Sequence, residues 1–311
     1  MTVRFPVFFP VESAFNLSVS LLIAVENALV IITIWMDPFK QLKGTPADYL
    51  VLNLAICDLL IGVPAKFLGG LLHWCPHKAV FFVSLITGQL AYSASCLTIL
   101  SLAVERLVVI SFPLRNTNHR TFYLILGVMS IWFVAGLTTF LPLIKMEFYP
   151  IIIMYFVDDP FGIPCIIVII ACYLRIYFLI RKSLYRDITT SEAMQAERRC
   201  LTESAQRIEN LKRKERSVAR TMLIMGALYL GCWTPVYVLK NVAMNVVCNS
   251  CNLWFWVDVF ATLHPLLNPL AYALCEKKFL RALWKICHGL CNHGNNETPE
   301  STRFPCGTIF P

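Results

Sequence analysis

The sequence predicts an all-α membrane protein, a seven-transmembrane helix bundle with a short amphipathic eighth helix. Three observations predict it. The 311 residues are 57% hydrophobic and 15% charged, with a mean hydropathy of +0.63, too apolar for an ordinary soluble domain. The apolar residues gather into seven segments, about 14–36, 48–71, 80–110, 121–143, 151–180, 217–247 and 252–275. Each is near or above the roughly 20 residues a helix needs to cross the hydrocarbon. The basic residues border these segments unevenly. Lys40 and Lys43 follow the first, Arg115 and Arg120 the third, a dense basic run from Arg181 to Arg220 joins the fifth to the sixth, and Lys277, Lys278, Arg281 and Lys285 follow the seventh. The opposite loops hold little beyond Arg4, Lys78 and Lys145.

This asymmetry predicts an N-terminus outside and a C-terminus in the cytoplasm of a multi-pass protein of the plasma membrane. Residues 1–275 form the membrane domain, and 276–311 the amphipathic helix and cytoplasmic tail. The net charge of +8 then lies mostly on one membrane face, and a nucleic-acid partner is not needed to explain it. Met1–Pro10 lacks the pattern of a cleavable signal peptide, so the first span is expected to act as its own signal.

The first span carries Glu26 and Asn27 among aliphatics, and polar groups in lipid need neighbouring helices as partners. Pro38 and residues 40–48 make a short inside loop. The second span sets Asn53 and Asp58 in apolar surroundings, with Pro64 bending the helix below Lys66, and ends at Gly69-Gly70. An intramembrane acid such as Asp58 is a functional candidate by default. The third span, Ala94 to Leu114 in its inner part, is apolar except for Glu105-Arg106 near its end and stops at Pro113. The bland reading of that pair is a snorkelling anchor at the membrane boundary.

The fourth span centres on Trp132 and ends at Pro142, a very short outside loop from the fifth. Asp158, Asp159, Pro160, Gly162 and Pro164 are expected to interrupt the fifth span in its outer half, and broken backbone at that depth faces a cavity or protein. An outward-opening cavity lined partly by Asp158 or Asp159 follows. The charged stretch from Arg181 to Arg220 is helix-favouring and extends the fifth and sixth helices, with a flexible middle near Thr189 to Ser191. The sixth span holds Cys232-Trp233-Thr234-Pro235, the seventh Asn268-Pro269-Leu270-Ala271-Tyr272, and each Pro predicts a kink. In the eighth helix Phe279, Leu280, Leu283, Trp284 and Ile286 are available to the lipid interface, with Cys287 and Cys291 placed for palmitoylation. Among the thirteen cysteines, Cys75, Cys248 and Cys251 fall in outside segments where oxidation is plausible.

Together these residues resemble the rhodopsin-like G-protein-coupled receptors over nearly the whole chain. Asn27, the Asn53-Leu54-Ala55 run with Asp58, Glu105-Arg106-Leu107, Trp132, Tyr173, the Cys232 to Pro235 motif, and Asn268-Pro269 with Tyr272 fall one motif to a span in the family's order. The resemblance implies a receptor that binds an extracellular ligand, peptide or small molecule, and activates a heterotrimeric G protein by outward movement of the sixth helix. It implies that Arg106 pairs with Glu105 and Glu215 at rest, that Trp233 and Pro235 transmit the ligand's effect, and that Arg106, Tyr173 and Tyr272 serve the coupling switch with Asn268 and Pro269. Membrane lipid and a second receptor in a dimer are further implied partners.

Several positions depart from the family pattern. Phe81 stands where the usual third-helix disulfide cysteine would be, and Cys248 and Cys251 suggest a local disulfide instead. These features resemble the melanocortin, adenosine and cannabinoid branch. Tyr229 replaces the usual Phe, and Glu26 the usual Gly. Asp58, Ser95 and Asn268 match three positions of a sodium site, an allosteric modulator in the family, whereas His264 and Pro265 replace two polar ones. No other cofactor or metal is expected. Gly88 stands where amine receptors carry an Asp and Thr262 where opsins carry the retinal Lys. The polar candidates for the ligand pocket, beside Gly88 and Trp233, are Lys66, Asp158, Asp159, Lys240, Asn241 and Asp258; the bland reading of Lys66 and Asp258 is that they only pair with each other.

An enzyme is not expected, since no nucleophile-base pair or ligand-spaced His and Cys cluster is visible. The competing readings are a receptor that only partners another receptor and a polytopic carrier. A carrier would be supported by internal repeats, which are absent from this sequence.

Overall fold

The computed structural model describes residues 10–43, 45–72, 74, 76–111, 120–148, 159–194, 223–240, 242, 251–275 and 277–292. Eight helices carry it: α1 Pro10–Met36, α2 Pro46–Leu60, α3 Lys78–Ser111, α4 Arg120–Phe140, α5 Asp159–Met194, α6 Leu223–Lys240, α7 Cys251–Cys275 and α8 Lys277–Asn292. Six of these stretches, in α1 to α6, are long and apolar enough to cross a membrane. The seventh, α7, has 25 residues, ample length for a span, and its apolar run is diluted by Asp258, His264, Asn268 and two prolines. The described elements are all helical, and the protein is a multi-pass membrane protein.

The first loop is built by one carboxylate. Asp37 and Lys40 adopt positive φ, at 36° and 52°, and Asp37 Oδ1 accepts from the backbone N–H groups of Gln41 (2.8 Å) and Leu42 (3.1 Å). The chain then enters α2 through a capping box. Thr45 N–H donates to Asp48 Oδ2 at 2.8 Å, Asp48 N–H returns to Thr45 Oγ1 at 3.4 Å, and Pro46 fills a first-turn position that needs no N–H. The second basic anchor is α8, where Lys278 Nζ reaches Asp48 Oδ1 at 3.2 Å and Lys285 sits 4.6 Å over the Phe39 ring. Phe279, Ala282 and Ile286 of α8 are buried, while Leu280 and Trp284 are exposed. So of the apolar residues expected at the lipid interface, two face the bundle instead.

Prolines shape the other end. Pro64 cannot donate to the carbonyl four residues back, and Ile61–Phe67 winds as a π-helix before a last α-helical turn, Leu68–Leu71. A π segment is wider than an α-helix and often marks a functional site. Ser84 of α3 donates to the Ala65 carbonyl at 2.7 Å within it. Close approach to α1 is allowed by glycine: a Cβ on Gly62 would lie 2.9 Å from Ile23 Cγ2, and one on Gly70 2.9 Å from Leu17 Cγ.

In α7 the same proline logic produces an interhelical bond. Pro269 leaves the Pro265 carbonyl without its intrahelical donor, and Asn27 Nδ2 of α1 donates to that oxygen at 3.2 Å and to Ile23 O at 3.0 Å. Asn53 plays a comparable part between three helices. Its Nδ2 donates to Thr98 Oγ1 of α3 at 2.8 Å, and its Oδ1 accepts from Trp132 Nε1 of α4 at 2.9 Å.

Two expectations are corrected here. Asp159, Pro160, Gly162 and Pro164 do not interrupt the fifth helix; they form its first turns, where Pro160 has no intrahelical N–H to lose. The helix also runs unbroken through Thr189 to Ser191 as far as Met194, because nothing there breaks it: the stretch contains neither Gly nor Pro.

Candidate functional site

Two helical stripes meet to form a cavity. Gln89, Tyr92, Ser93 and Cys96 recur at the spacing of one α3 face, and Tyr229, Trp233, Val236, Tyr237 and Lys240 do so on α6. Gly162 of α5 closes the wall, and the cavity holds about 520 Å³ of empty space, its share of open solvent included. An aromatic lining with a few polar groups is the kind that holds a small ligand. Gly162 is required by a close approach, since a Cβ there would stand 2.8 Å from Tyr237 Cζ.

The aromatic rings descend from the cavity as a ladder. Lys240 Nζ lies 5.6 Å over the Tyr237 ring, a cation–π distance. Tyr237 lies 6.1 Å from Trp233, Trp233 is 5.9 Å from Tyr229, and Tyr92 meets Trp233 edge-on at 5.5 Å. Tyr229 then meets His264 of α7 edge-on at 5.1 Å.

Below His264 is a polar core. Its Nε2 is 3.4 Å from Asn268 Nδ2, and Asn268 Nδ2 donates to Asp58 Oδ2 at 2.7 Å. Asp58, His264 and Asn268 are all fully buried or nearly so. Asp58 Oδ1, Ser95 Oγ and Asn268 Oδ1 are buried with no hydrogen-bond partner among the described residues. Three such oxygens fit a hard cation, whereas His264 adds a nitrogen to the same surroundings. Among the described residues there is no group of three or more His, Cys, Asp and Glu that could hold a metal.

At the far end of α3, Arg106 Nε lies 2.8 Å from Glu105 Oε2 in a largely buried pair. Arg106 Nη2 is buried and has no hydrogen-bond partner among the described residues. Tyr173 of α5 packs on Gly226 of α6 so tightly that a Cβ there would lie 2.6 Å from Tyr173 Cδ2. Tyr272 of α7 is buried near them and its ring is 6.4 Å from Phe279 of α8.

The described residues thus set a cavity toward one end of α3, a buried Asp–Asn core below it and a buried Arg toward the other end. Residues 26–151 match the 7 transmembrane receptor (rhodopsin family) model. The chain is also 26% identical to a sphingosine 1-phosphate receptor 1 of Danio rerio over 90% of its own length and 79% of that receptor's. A sphingosine 1-phosphate receptor 3 of Takifugu rubripes is 26% identical over 90% and 71%, and a rhodopsin of Scyliorhinus canicula 25% identical over 85% and 76%. Over residues 26–151 the chain is thus similar to the rhodopsin-family receptors. These matches do not support placing it beside the melanocortin, adenosine and cannabinoid receptors in particular.

Within this bundle the structure brings Trp233 and Lys240 to the cavity. Lys66 of the π segment and Asp258 of α7 form an ion pair instead of lining it, and Thr262 Oγ1 donates to the Asp258 carbonyl at 2.5 Å. Gly88 faces the π segment, where a Cβ would meet Ala65 Cβ at 3.4 Å, and does not line the cavity. Pro235 and Pro269 lie inside α6 and α7. Cys287 is exposed on α8. Asp158, Glu215, Asn241 and Cys248 lie outside the described residues, as do the side chains of Asp159, Cys251 and Cys291.

Sequence reasoning missed Gln89, Tyr92, Ser93, Cys96, Gly162, Tyr229, Val236 and Tyr237 as cavity residues. The signal was present in the 3.6-residue spacing of both stripes. Weighing charged residues alone passed over the aromatic ones that carry most of the lining.

Proposed function

We propose that this chain is a rhodopsin-family receptor that binds a small extracellular ligand in the cavity between α3, α5 and α6 and activates a heterotrimeric G protein at the Arg106 end. The ladder from Lys240 through Tyr237, Trp233, Tyr229, His264 and Asn268 to Asp58 carries the reading. It gives a ligand a continuous packed route from the cavity to the buried polar core. A ligand displacing Trp233 would move Tyr229 against His264, and Pro235 supplies the weak point about which α6 swings.

At the other end, outward movement of α6 would take Gly226 off Tyr173 and open a cleft lined by Arg106, Tyr173 and Tyr272. The Arg106–Glu105 pair, with Glu215 as a second partner, holds the resting state. Orientation follows the basic loops, with the cavity outside and Arg106 facing the cytoplasm of the cell that carries the receptor in its plasma membrane. Asp58, Ser95 and Asn268 are the residues that would hold a sodium ion, which would supply positive charge beside Asp58 in the resting arrangement. Cys287 and Cys291 would carry palmitoyl chains that hold α8 to the bilayer.

The ligand class follows from the lining. An ammonium at Lys240 above four aromatic rings suits an amphiphile with an acidic head group and an apolar body. Two relatives are named for sphingosine 1-phosphate, a phosphate-bearing molecule of this kind. The absence of the usual third-helix cysteine at Phe81 and the pair Cys248 and Cys251 support a branch that bridges its third outer loop locally.

The test is second-messenger output, cyclic AMP and calcium, in cells expressing the chain and given sphingosine 1-phosphate or unphosphorylated sphingosine. A response to the phosphate alone, lost in Lys240→Ala and in Arg106→Ala, supports both parts. A response that survives Arg106→Ala contradicts the coupling role, and one that ignores the phosphate contradicts the ligand class.

A further inference from the structure

We propose that Lys40, Lys43 and Lys285 form a site for a membrane lipid whose head group carries more than one phosphate, at the corner where the first loop meets α8. Hydrogen bonds close this corner. Asp37 N–H donates to the Thr33 carbonyl at 3.1 Å and Lys40 N–H to the Asp37 carbonyl at 2.9 Å, so the chain reverses around Pro38 and Phe39. The Asp37 carboxylate then holds the backbone N–H groups of Gln41 and Leu42. Beyond them Lys43 folds back over the end of α1, where its Nζ lies 5.5 Å over the Trp35 ring and donates to the Trp35 carbonyl at 2.5 Å. From α8, Lys285 Nζ lies 4.6 Å over the Phe39 ring.

Basic residues at the ends of spans ordinarily set topology and nothing more, and Lys278 is neutralised by Asp48 at 3.2 Å. Lys40, Lys43 and Lys285 differ from it. All three are exposed, and none has an acidic partner among the described residues. Lys40, next to Phe39 in the chain, takes a φ of 52°, a conformation usually left to Gly, Asn or Asp.

An ammonium carries three N–H groups. Lys43 gives one to the Trp35 carbonyl, and an aromatic ring covers only one side of each cation, so donors remain for phosphate oxygens. The rings also fix the depth. Trp35, Met36, Phe39, Leu280 and Trp284 are exposed, and aromatic side chains at the end of a span lie at head-group level. The ammonium groups resting on them therefore lie in the plane of the lipid phosphates, with apolar surface beside them for acyl chains. Two cations held on separate rings, by two different elements, call for more than one anionic group on the same molecule; a phosphatidylserine, with a single net charge, does not supply that. A bound head group would link α8 to the first loop a second time, beside the Lys278–Asp48 pair. The site uses the orientation set by the basic loops and is independent of what fills the cavity between α3, α5 and α6.

The experiment is native mass spectrometry of the purified full-length protein in detergent, titrated with phosphatidylinositol bisphosphate, phosphatidylserine or soluble inositol trisphosphate. The bisphosphate lipid is expected to bind with the lowest Kd of the three. Lys43→Gln combined with Lys285→Gln should weaken it at least about tenfold. Arg175→Gln combined with Arg181→Gln removes the same two charges from exposed positions of α5 and should leave it unchanged. Phosphatidylserine binding as tight as the bisphosphate lipid overturns the proposal, as does an equal loss in the two double variants. Soluble trisphosphate binding as tight as the lipid overturns the assignment to a membrane lipid. The three probes are compared on the wild-type chain, so that comparison decides even where a variant fails to fold.

Discussion

The Lys66–Asp258 ion pair gives the structure its sharpest energetic test. It ties the π segment after α2 to α7, and the two side chains differ in exposure, 10% for Lys66 and 32% for Asp258. Asp258→Asn leaves a buried ammonium without its counter-charge, and breaking a buried pair in this way costs about 3 kcal/mol. Lys66→Met leaves a carboxylate that water still reaches, so its cost is lower, about 1–2 kcal/mol. The double variant removes both charges and replaces the lysine stem with a side chain of similar reach, and is expected within about 1 kcal/mol of wild type. The cycle therefore has a coupling of about 3–5 kcal/mol. Thermal unfolding of the purified protein in detergent reads it, with Asp258→Asn lowering the apparent midpoint by roughly 6 °C. Additive single variants, or an Asp258→Asn midpoint equal to wild type, would refute the reasoning.

Asn27→Ala frees the Pro265 carbonyl that Pro269 cannot serve, so it should cost about 1–3 kcal/mol; Asn27→Ser, whose hydroxyl is a shorter donor, should recover only part of the loss in the same melt. Trp132→Phe removes the donor to Asn53 while keeping an aromatic body, with an expected loss of about 1 kcal/mol, and no change in midpoint would mean that bond contributes nothing. Gly226→Val forces Tyr173 off α6, and overpacking of this kind costs about 1–3 kcal/mol; basal second-messenger output should rise because the closed α5–α6 contact is lost, and unchanged output would separate that contact from the switch. Tyr229→Phe keeps the ring against His264 but removes the hydroxyl, so it should preserve ligand response, whereas Tyr229→Ala, which breaks the ladder, should reduce it at equal surface expression.

The helical spans were readable because their signal is length and apolarity, which a bilayer imposes on any chain that crosses it. Asn27, Asn53, Asp58 and Asn268 stood out for the same reason: polar groups in lipid need partners, and each of them has one. The start of α5 was misread because Pro160 looks like a breaker in a string, while in a helix's first turn a missing N–H costs nothing; Pro164 lies inside the helix, which continues through it. Burial divided the eighth helix in a way the string does not show. Its amphipathic pattern marks one apolar face, but whether that face meets lipid or protein depends on Asp48 in the first turn of α2 and Phe39 of the first loop, which anchor Lys278 and Lys285.

The cavity was harder to read than the coupling end. Arg106 and Glu105 are isolated charges in an apolar run, so they announce themselves. Tyr92, Tyr229 and Tyr237 look like ordinary core residues, and only the meeting of two helices shows that they face empty space. Tyr229 and His264 are two departures from the family pattern that look unrelated in sequence. In the fold they touch, so each accounts for the other.

The central claim is that the cavity-bearing bundle activates a G protein through Arg106. The most direct measurement is guanine-nucleotide exchange by purified heterotrimeric G proteins of the stimulatory, inhibitory and calcium-mobilising classes, reconstituted with the wild-type chain or with Arg106→Ala in lipid nanodiscs. The account expects exchange above that of the G protein alone with at least one class, abolished in Arg106→Ala at matched folding. Equal exchange by the folded wild-type and Arg106→Ala proteins, across all classes, would contradict it.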